Sequence, residues 1–355
     1  MKQIVKLMML GLVMLGLWAC EKEPVASSSR IHVSQVLVLN EALMGSNTAS
    51  ISAIDADSGR IENNWFYNHN SRNLGDQAQD MILLDGKVYV TVTESNTLEA
   101  IDTATGVAVR KSMGSLKPRS MVGEGGKLYV TCYNPPCVVR MDAATLDIED
   151  TCLLGDFKPE ELVSAQGKLF VASAYHKENM YLYDDKIHVI DIATFAKLES
   201  IVGGSNNIHI KKINDNTLIV AHGNGTTSSP SGTYLINATT HEVTHLSKGL
   251  SNMTVYNGKV YGYDAPYNNG SLSFAIINAD GTVEDFPFTP AFENLERNEM
   301  PYGIAVNPEN GDIYLTTDGG IYRVPGDVYC FRPDGTLRFK VEAGILPSKV
   351  LFLTD

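Results

Sequence analysis

Polar and apolar residues alternate along this chain in short runs, each closed by glycine, asparagine or aspartate, and two such runs recur throughout. The first is a glycine turn followed by an apolar strand. It reads Gly86-Lys87-Val88-Tyr89-Val90-Thr91, Gly126-Lys127-Leu128-Tyr129-Val130-Thr131, Gly167-Lys168-Leu169-Phe170-Val171-Ala172 and Gly258-Lys259-Val260-Tyr261-Gly262-Tyr263. Gly311-Asp312-Ile313-Tyr314-Leu315-Thr316 is a variant, and Asn216-Thr217-Leu218-Ile219-Val220-Ala221 is a degenerate copy. Asp85-Gly86, Asn257-Gly258 and Asn310-Gly311 suit two-residue hairpin turns because they tolerate positive φ. The second run is an apolar strand entering an Asp/Asn turn. Its copies centre on Ile54, Ile101, Met141, Ile190, Ile236, Ile277 and Phe331.

Seven copies at intervals of 40 to 54 residues mark a β-propeller with four short strands per blade. The first unit begins at its second strand (Val36–Asn40), and the last inner strand (Ser348–Thr354) has no partners after it. The pattern therefore predicts an all-β, seven-bladed β-propeller over residues 31–355, closed by the C-terminal strand pairing with the N-terminal blade. Such closure covers an edge that would otherwise invite aggregation. A β-sandwich and an eight-bladed ring are the competing architectures, and neither uses the complementary ends.

Connection lengths then point to a working face. Turns between the first and second and between the third and fourth strands are short. The others are long and share one side of a propeller: Tyr67–Gln79, Ala174–Asp185, His222–Gly232, Asp264–Ser271, Phe288–Pro301 and Thr317–Asp327. They are rich in Tyr, Asn, His and Arg, which supply stiff amphipathic area and adaptable hydrogen bonds. The inner strands should start around the channel mouth with Gln79, Arg119, Glu160, Asn207, Asn252, Tyr302 and Ser348, a ring suited to a polar, multidentate ligand. Expected ligand-binding residues are Trp65, Tyr67, Arg72, Tyr133, Asn134, Tyr175, His176, His222, Asn224, Tyr267, Asn268, Tyr302, Tyr322 and Arg323.

Composition fits this picture: 30 glycines, 16 Tyr against 11 Phe, and 41 acidic against 28 basic residues, for a net charge of −13. An acidic chain without a Lys/Arg run does not suit nucleic-acid binding. Residues 1–19 read as a signal peptide, with Lys2 and Lys6 ahead of the apolar stretch Leu7–Leu17, which is too short to span a bilayer. Leu17-Trp18-Ala19-Cys20 matches a lipobox, so Cys20 is the expected lipidation site and residues 20–30 a flexible tether. In an oxidising compartment Cys132 and Cys137, which flank Tyr133-Asn134-Pro135-Pro136, could bridge across a hairpin; Cys152 and Cys330 suit buried thiols.

Catalytic signatures are missing: no Gly-rich phosphate loop, no H-E-x-x-H and no G-x-S-x-G. Asp55-Ala56-Asp57-Ser58-Gly59 lacks the downstream glutamate of a calcium loop, and no metal site is expected. His188 and His209 fall in strands and suit structural roles, whereas His69, His176 and His222 fall in long loops.

The blades, above all Met300-Pro301-Tyr302-Gly303-Ile304-Ala305-Val306-Asn307-Pro308-Glu309-Asn310-Gly311-Asp312-Ile313-Tyr314, resemble the YncE-type seven-bladed propellers. With the lipobox and long loops, residues 31–355 resemble the surface lipoprotein propellers of gut Gram-negative bacteria, among them the BtuG-type cobalamin-binding proteins. That resemblance implies an outer-membrane, surface-exposed lipoprotein that binds cobalamin (vitamin B12) or a related corrinoid and passes it to a TonB-dependent transporter. It implies no catalytic cofactor and no enzyme activity. The blade motifs are structural and do not encode the ligand. Two other classes stay open. One is a protein–protein adaptor with hot spots at Tyr175–Tyr183 and Phe288–Phe292. The other is a propeller lyase or hydrolase using Glu160 with His176 or His222.

Overall fold

The computed structural model describes residues 31–223, 232–265, 272–292, 299–320 and 322–354. Cys20, Asn224, Tyr267 and Asn268 lie outside them. The strands form seven antiparallel sheets arranged as a propeller ring. Blade 1 is built from Pro347–Thr354, Val33–Asn40, Ser50–Asp55 and Ile61–Glu62, in that order from the axis outward. The terminal strand thus closes the ring as the sequence predicts, pairing Leu37 with Leu351 and Val38 with Val350. Blades 2, 3, 5, 6 and 7 take their four strands in sequence order. Blade 4 adds a fifth, Asn179–Tyr183, hairpinned onto Lys168–His176 in a stretch expected to be loop.

Blade stacking follows from the strand pattern. Successive side chains face opposite sides of a sheet, and the middle strands are buried on both, as in Thr97–Asp102 and Pro136–Asp142. Apolar residues therefore collect between blades, giving one cluster per interface. Val36, Val38 and Ile54 of blade 1 meet Tyr314, Val328 and Cys330 of blade 7, for example. The recurring Asp/Asn turn has an equally local cause. In blades 1 to 5 the side chain at the end of the third strand accepts the backbone N–H three residues on, as Asp55 from Ser58 (2.8 Å), Asp102 from Thr105 (2.9 Å) and Asp191 from Thr194 (2.8 Å).

Cys132 and Cys137 stand opposite each other across their hairpin, as expected, but both are buried, unbridged thiols. Another expectation changes more. The connection Tyr67–Gln79 does not rise over the mouth. It begins in the helix Trp65–Asn70, which lies against the turn at the opposite end of blade 2: Asn70 donates to Gly106 O and accepts from Ala108 N. A Cβ on Gly106, whose φ is +70°, would stand 2.5 Å from the His69 ring, so glycine admits the helix. Trp65 and Phe66 are buried between blades 1 and 2 with Leu37, Leu39 and Val90. The connection is a wedge: Trp65 and Phe66 at its start serve packing, and Tyr67 stays exposed.

Ending the chain at Leu346 removes the inner strand of blade 1 and exposes the edge of Val33–Asn40. The truncated protein should lose its cooperative thermal transition and elute as aggregate on size exclusion. Retention of a sharp transition would show that the ring does not need this closure.

Candidate functional site

The inner strands depart from regular pairing at one place. In six of the seven blades the inner strand carries one extra residue near the mouth. Ala78 and Asp80 oppose adjacent residues Val92 and Thr91, leaving Gln79 unpaired; the same count leaves Ile208, Tyr302 and Ser348 over in blades 5, 7 and 1. In blades 3 and 4 the bulge falls at Arg119-Ser120 and Glu160-Glu161. A β-bulge interrupts alternation and re-aims side chains. Here it turns neighbouring residues toward the axis, so that Arg119 and Ser120, Glu160 and Glu161, and Ser348 and Lys349 all line one cavity.

Bulging leaves backbone carbonyls to satisfy, and the repeated threonine of the strand motif supplies the donor. The Thr91 hydroxyl donates to Arg119 O (2.8 Å), Thr131 to Glu160 O (2.9 Å) and Thr316 to Pro347 O (2.5 Å), each reaching from one blade to the bulge of the next. Thr93 adds a bond to Pro118 O at 2.7 Å.

The cavity measures about 850 Å³ and opens at the mouth. Six residues of the expected ring line it: Gln79, Arg119, Glu160, Asn252, Tyr302 and Ser348. Asn207 does not. It is fully buried, accepting from the Tyr234 hydroxyl at 2.7 Å and donating to Lys186 O at 3.3 Å.

Nearly every charge in the wall is spoken for. Arg119 Nε donates to Glu160 at 2.6 Å, and Tyr133 gives its hydroxyl to the other Glu160 oxygen at 2.5 Å. Burial opposes the Arg119 charge, but Glu160, with Tyr133 and Glu41, lifts its pKa well above the ordinary value. Glu41 accepts from Gln79 and, at 2.7 Å, from the Tyr302 hydroxyl, whose pKa burial and Glu41 together push well up. Deeper, Lys211 and Lys349 reach separate oxygens of Glu161 at 2.8 and 3.0 Å, and Lys349 also meets Asp80 at 3.4 Å. His209 Nδ1 stands 3.1 Å from Glu161, off the line of a hydrogen bond. Burial alone would raise the Glu161 carboxyl; Lys211, Lys349 and His209 hold it well below the usual range. This cluster ties blades 1, 2, 4 and 5 together across the channel.

Of the other expected ligand residues, Tyr322 lines the cavity, and Tyr133 stands behind it through Glu160. Tyr175 stands beside Lys158 on the same rim. Asn134 is exposed, donating to Ser115 O; His176 packs edge-on to Phe157, and Arg323 is exposed outside the cavity wall. Four lie elsewhere. Trp65 is core, and Arg72 is clamped onto buried Glu99 by its two terminal guanidinium nitrogens (2.8 and 2.7 Å). His222 packs against Tyr234, in space that a Cβ on Gly204 or Gly232 would fill. Tyr67 is an exposed residue of the wedge helix. Sequence reasoning missed Glu41, Glu161, His209, Lys211 and Lys349; the bulged inner strands carry the last four, and Glu41 follows the strand Val33–Asn40 with its N–H on Leu346 O. Among the described residues no group of three or more His, Cys, Asp and Glu is arranged to hold a metal ion, and no helix is long and apolar enough to cross a membrane.

Solved structures share this architecture. A catalytically inactive virginiamycin B lyase from Staphylococcus aureus, solved with quinupristin, is 16% identical with a TM-score of 0.59, over 80% of this chain and 93% of that one. Hydrazine synthase from Kuenenia stuttgartiensis is likewise 16% identical, with a TM-score of 0.56 over 76% and 92% of the two chains. The computationally designed Ika8 protein is 11% identical with a TM-score of 0.57, over 92% and 98%. At such identities the likeness is one of fold: the chain is a seven-bladed β-propeller. No protein-family model and no curated protein matches it.

Two outcomes test the site. Thr131→Val keeps shape but leaves the Glu160 carbonyl and the Ser120 N–H without their partner, and should cost about 1–3 kcal/mol in denaturant unfolding. Glu161→Gln should cost about 3 kcal/mol near neutral pH by leaving buried lysine charge uncompensated. Because the folded Glu161 carboxyl titrates below its ordinary 4.5, its contribution is complete above that pH and drains away below it. The melting-temperature gap between wild type and variant should therefore narrow on acidification from pH 6 toward 3; a constant gap would remove Glu161 from the pH response.

Proposed function

We propose that this chain is a lipid-anchored surface protein of the outer membrane that captures cobalamin or a related corrinoid in its mouth cavity and passes it to a TonB-dependent transporter. The supporting observation is the character of the cavity wall. Across about 850 Å³ it offers tyrosine hydroxyls, amides and charges already paired within the wall. A strongly charged ligand would have to break those pairs, whereas a large molecule with amide arms can add hydrogen bonds to them. Corrinoids have that chemistry.

A second observation favours a protein partner on the same rim. The extra hairpin of blade 4 leaves Met180 61% and Tyr181 80% exposed, with Leu182 and Tyr183 also on the surface. Aromatic and methionine side chains of this kind suit interface anchors. An adaptor role would use this hairpin alone, and ligand delivery would use it beside the cavity.

Calorimetric titration of the full chain in detergent with cyanocobalamin should give a saturable 1:1 isotherm. Tyr302→Ala should weaken it tenfold or more, in the range of an interface hot spot, while Arg323→Ala leaves it unchanged. No heat, and no red colour co-eluting with the protein, would overturn the corrinoid reading and leave the hairpin as the site to pursue.

A further inference from the structure

Among the described residues, Lys158 on the rim has no carboxylate within ion-pair distance. Lys158 rises from the inner strand of blade 4 (Phe157–Ala165), and its ammonium lies 4.8 Å from the ring centre of Tyr133 and 5.0 Å from that of Tyr175. Its neighbours on the rim are paired: Lys117 with Glu94 at 2.8 Å and Lys177 with Asp156 at 2.9 Å. The nearby carboxylate, Glu160, is already shared between Arg119 and Tyr133. Arg119 lies over the same Tyr133 ring at 5.8 Å, and among the described residues only its Nε is committed, leaving the two terminal nitrogens of the guanidinium. Arg119, Lys158 and Glu160 sum to one positive charge on the blade 3–4 side. Across the ring the balance reverses. Among the described residues Glu41 and Asp318 accept from neutral donors: Gln79 and Tyr302 in one case, the backbone N–H groups of Met300 and Gly320 in the other.

We infer that Arg119 and Lys158, seated on Tyr133 and Tyr175, form a subsite for an oxyanion carried by the ligand, with a phosphate group as the chemistry they fit. A guanidinium edge offers two parallel donors to such a group, and the ammonium adds a point charge. The two tyrosine rings hold that ammonium in place through their π faces, so little side-chain freedom is lost when the anion arrives. The paired charges elsewhere in the wall offer no equivalent. This assignment rests on the capture reading only in that it assigns the subsite to the same ligand; the subsite itself is tested without a corrinoid.

Inorganic phosphate is titrated into the full chain in detergent, followed by the tyrosine fluorescence of the protein, with sodium chloride at matched ionic strength as the control. Phosphate should give a saturable change that chloride does not. Lys158→Gln should weaken it about tenfold, the scale of one charge-assisted hydrogen bond, and Lys158→Arg should restore it. Equal responses to phosphate and chloride, or equal phosphate affinity in wild type and Lys158→Gln, would overturn the subsite. A second arm uses two corrinoids. Cyanocobalamin carries a phosphodiester and dicyanocobinamide does not, so Lys158→Gln should weaken the former about tenfold and leave the latter unchanged. Equal loss for both would also overturn the assignment. If wild type binds phosphate but neither corrinoid, the capture reading fails and the oxyanion subsite stands.

Discussion

A single hydrogen bond, made three times, underlies the working end of this molecule: a threonine hydroxyl on the second strand of one blade meets a bulged carbonyl on the inner strand of the next. Thr91, Thr131 and Thr316 each make it. A bulge would otherwise leave a buried carbonyl unpaired at a cost of about 1–3 kcal/mol. With the carbonyl satisfied, the inner strand can turn two adjacent side chains toward the axis. Arg119, Glu160 and Lys349 owe their position in the cavity wall to residues in a neighbouring blade. Packing, polar satisfaction and site geometry are therefore coupled around the ring.

The second constraint is charge balance in a confined space. Lys211 and Lys349 share Glu161, with Asp80 beside Lys349, so removing one member leaves the others uncompensated. Nearer the mouth, Arg119 is held by Glu160 while Glu41 rests on neutral donors. The interior is compensated at depth and polarised at the rim. A ligand meets fixed dipoles and a few directional charges, which favours orientation over bulk attraction.

Much of the fold was legible because its determinants are local and repeated. The glycine-turn strands, the Asp/Asn turns and the unmatched terminal strand led to seven blades and to the closure seen between Leu37 and Leu351. Six of the seven expected mouth residues line the cavity, since the mouth end of an inner strand is fixed by the repeat alone. Glu161, His209 and Lys349 were hidden because a bulge breaks the period-two rule by which facing is read. Trp65 and Arg72 misled for another reason: a long polar connection looks the same whether it crosses the mouth or wedges between blades, and only Gly106 and Glu99, distant in sequence, decide. His222 is similar, its place being set by Gly204 and Gly232.

The chain enters the ring from the side remote from the mouth. Val33 donates its N–H to Glu309 at 2.7 Å, in the short turn of blade 7 at that end. On the lipid-anchored reading proposed above, the eleven residues from Cys20 to Ile31 span at most about 40 Å, against about 27 Å for an eight-residue strand such as Val33–Asn40. On that reading the anchor would meet the ring at the end opposite the mouth, and turning the mouth toward the membrane would use most of that span. Loading and unloading would then be two poses of one leashed body, with the length of the leash setting how freely it swings between them.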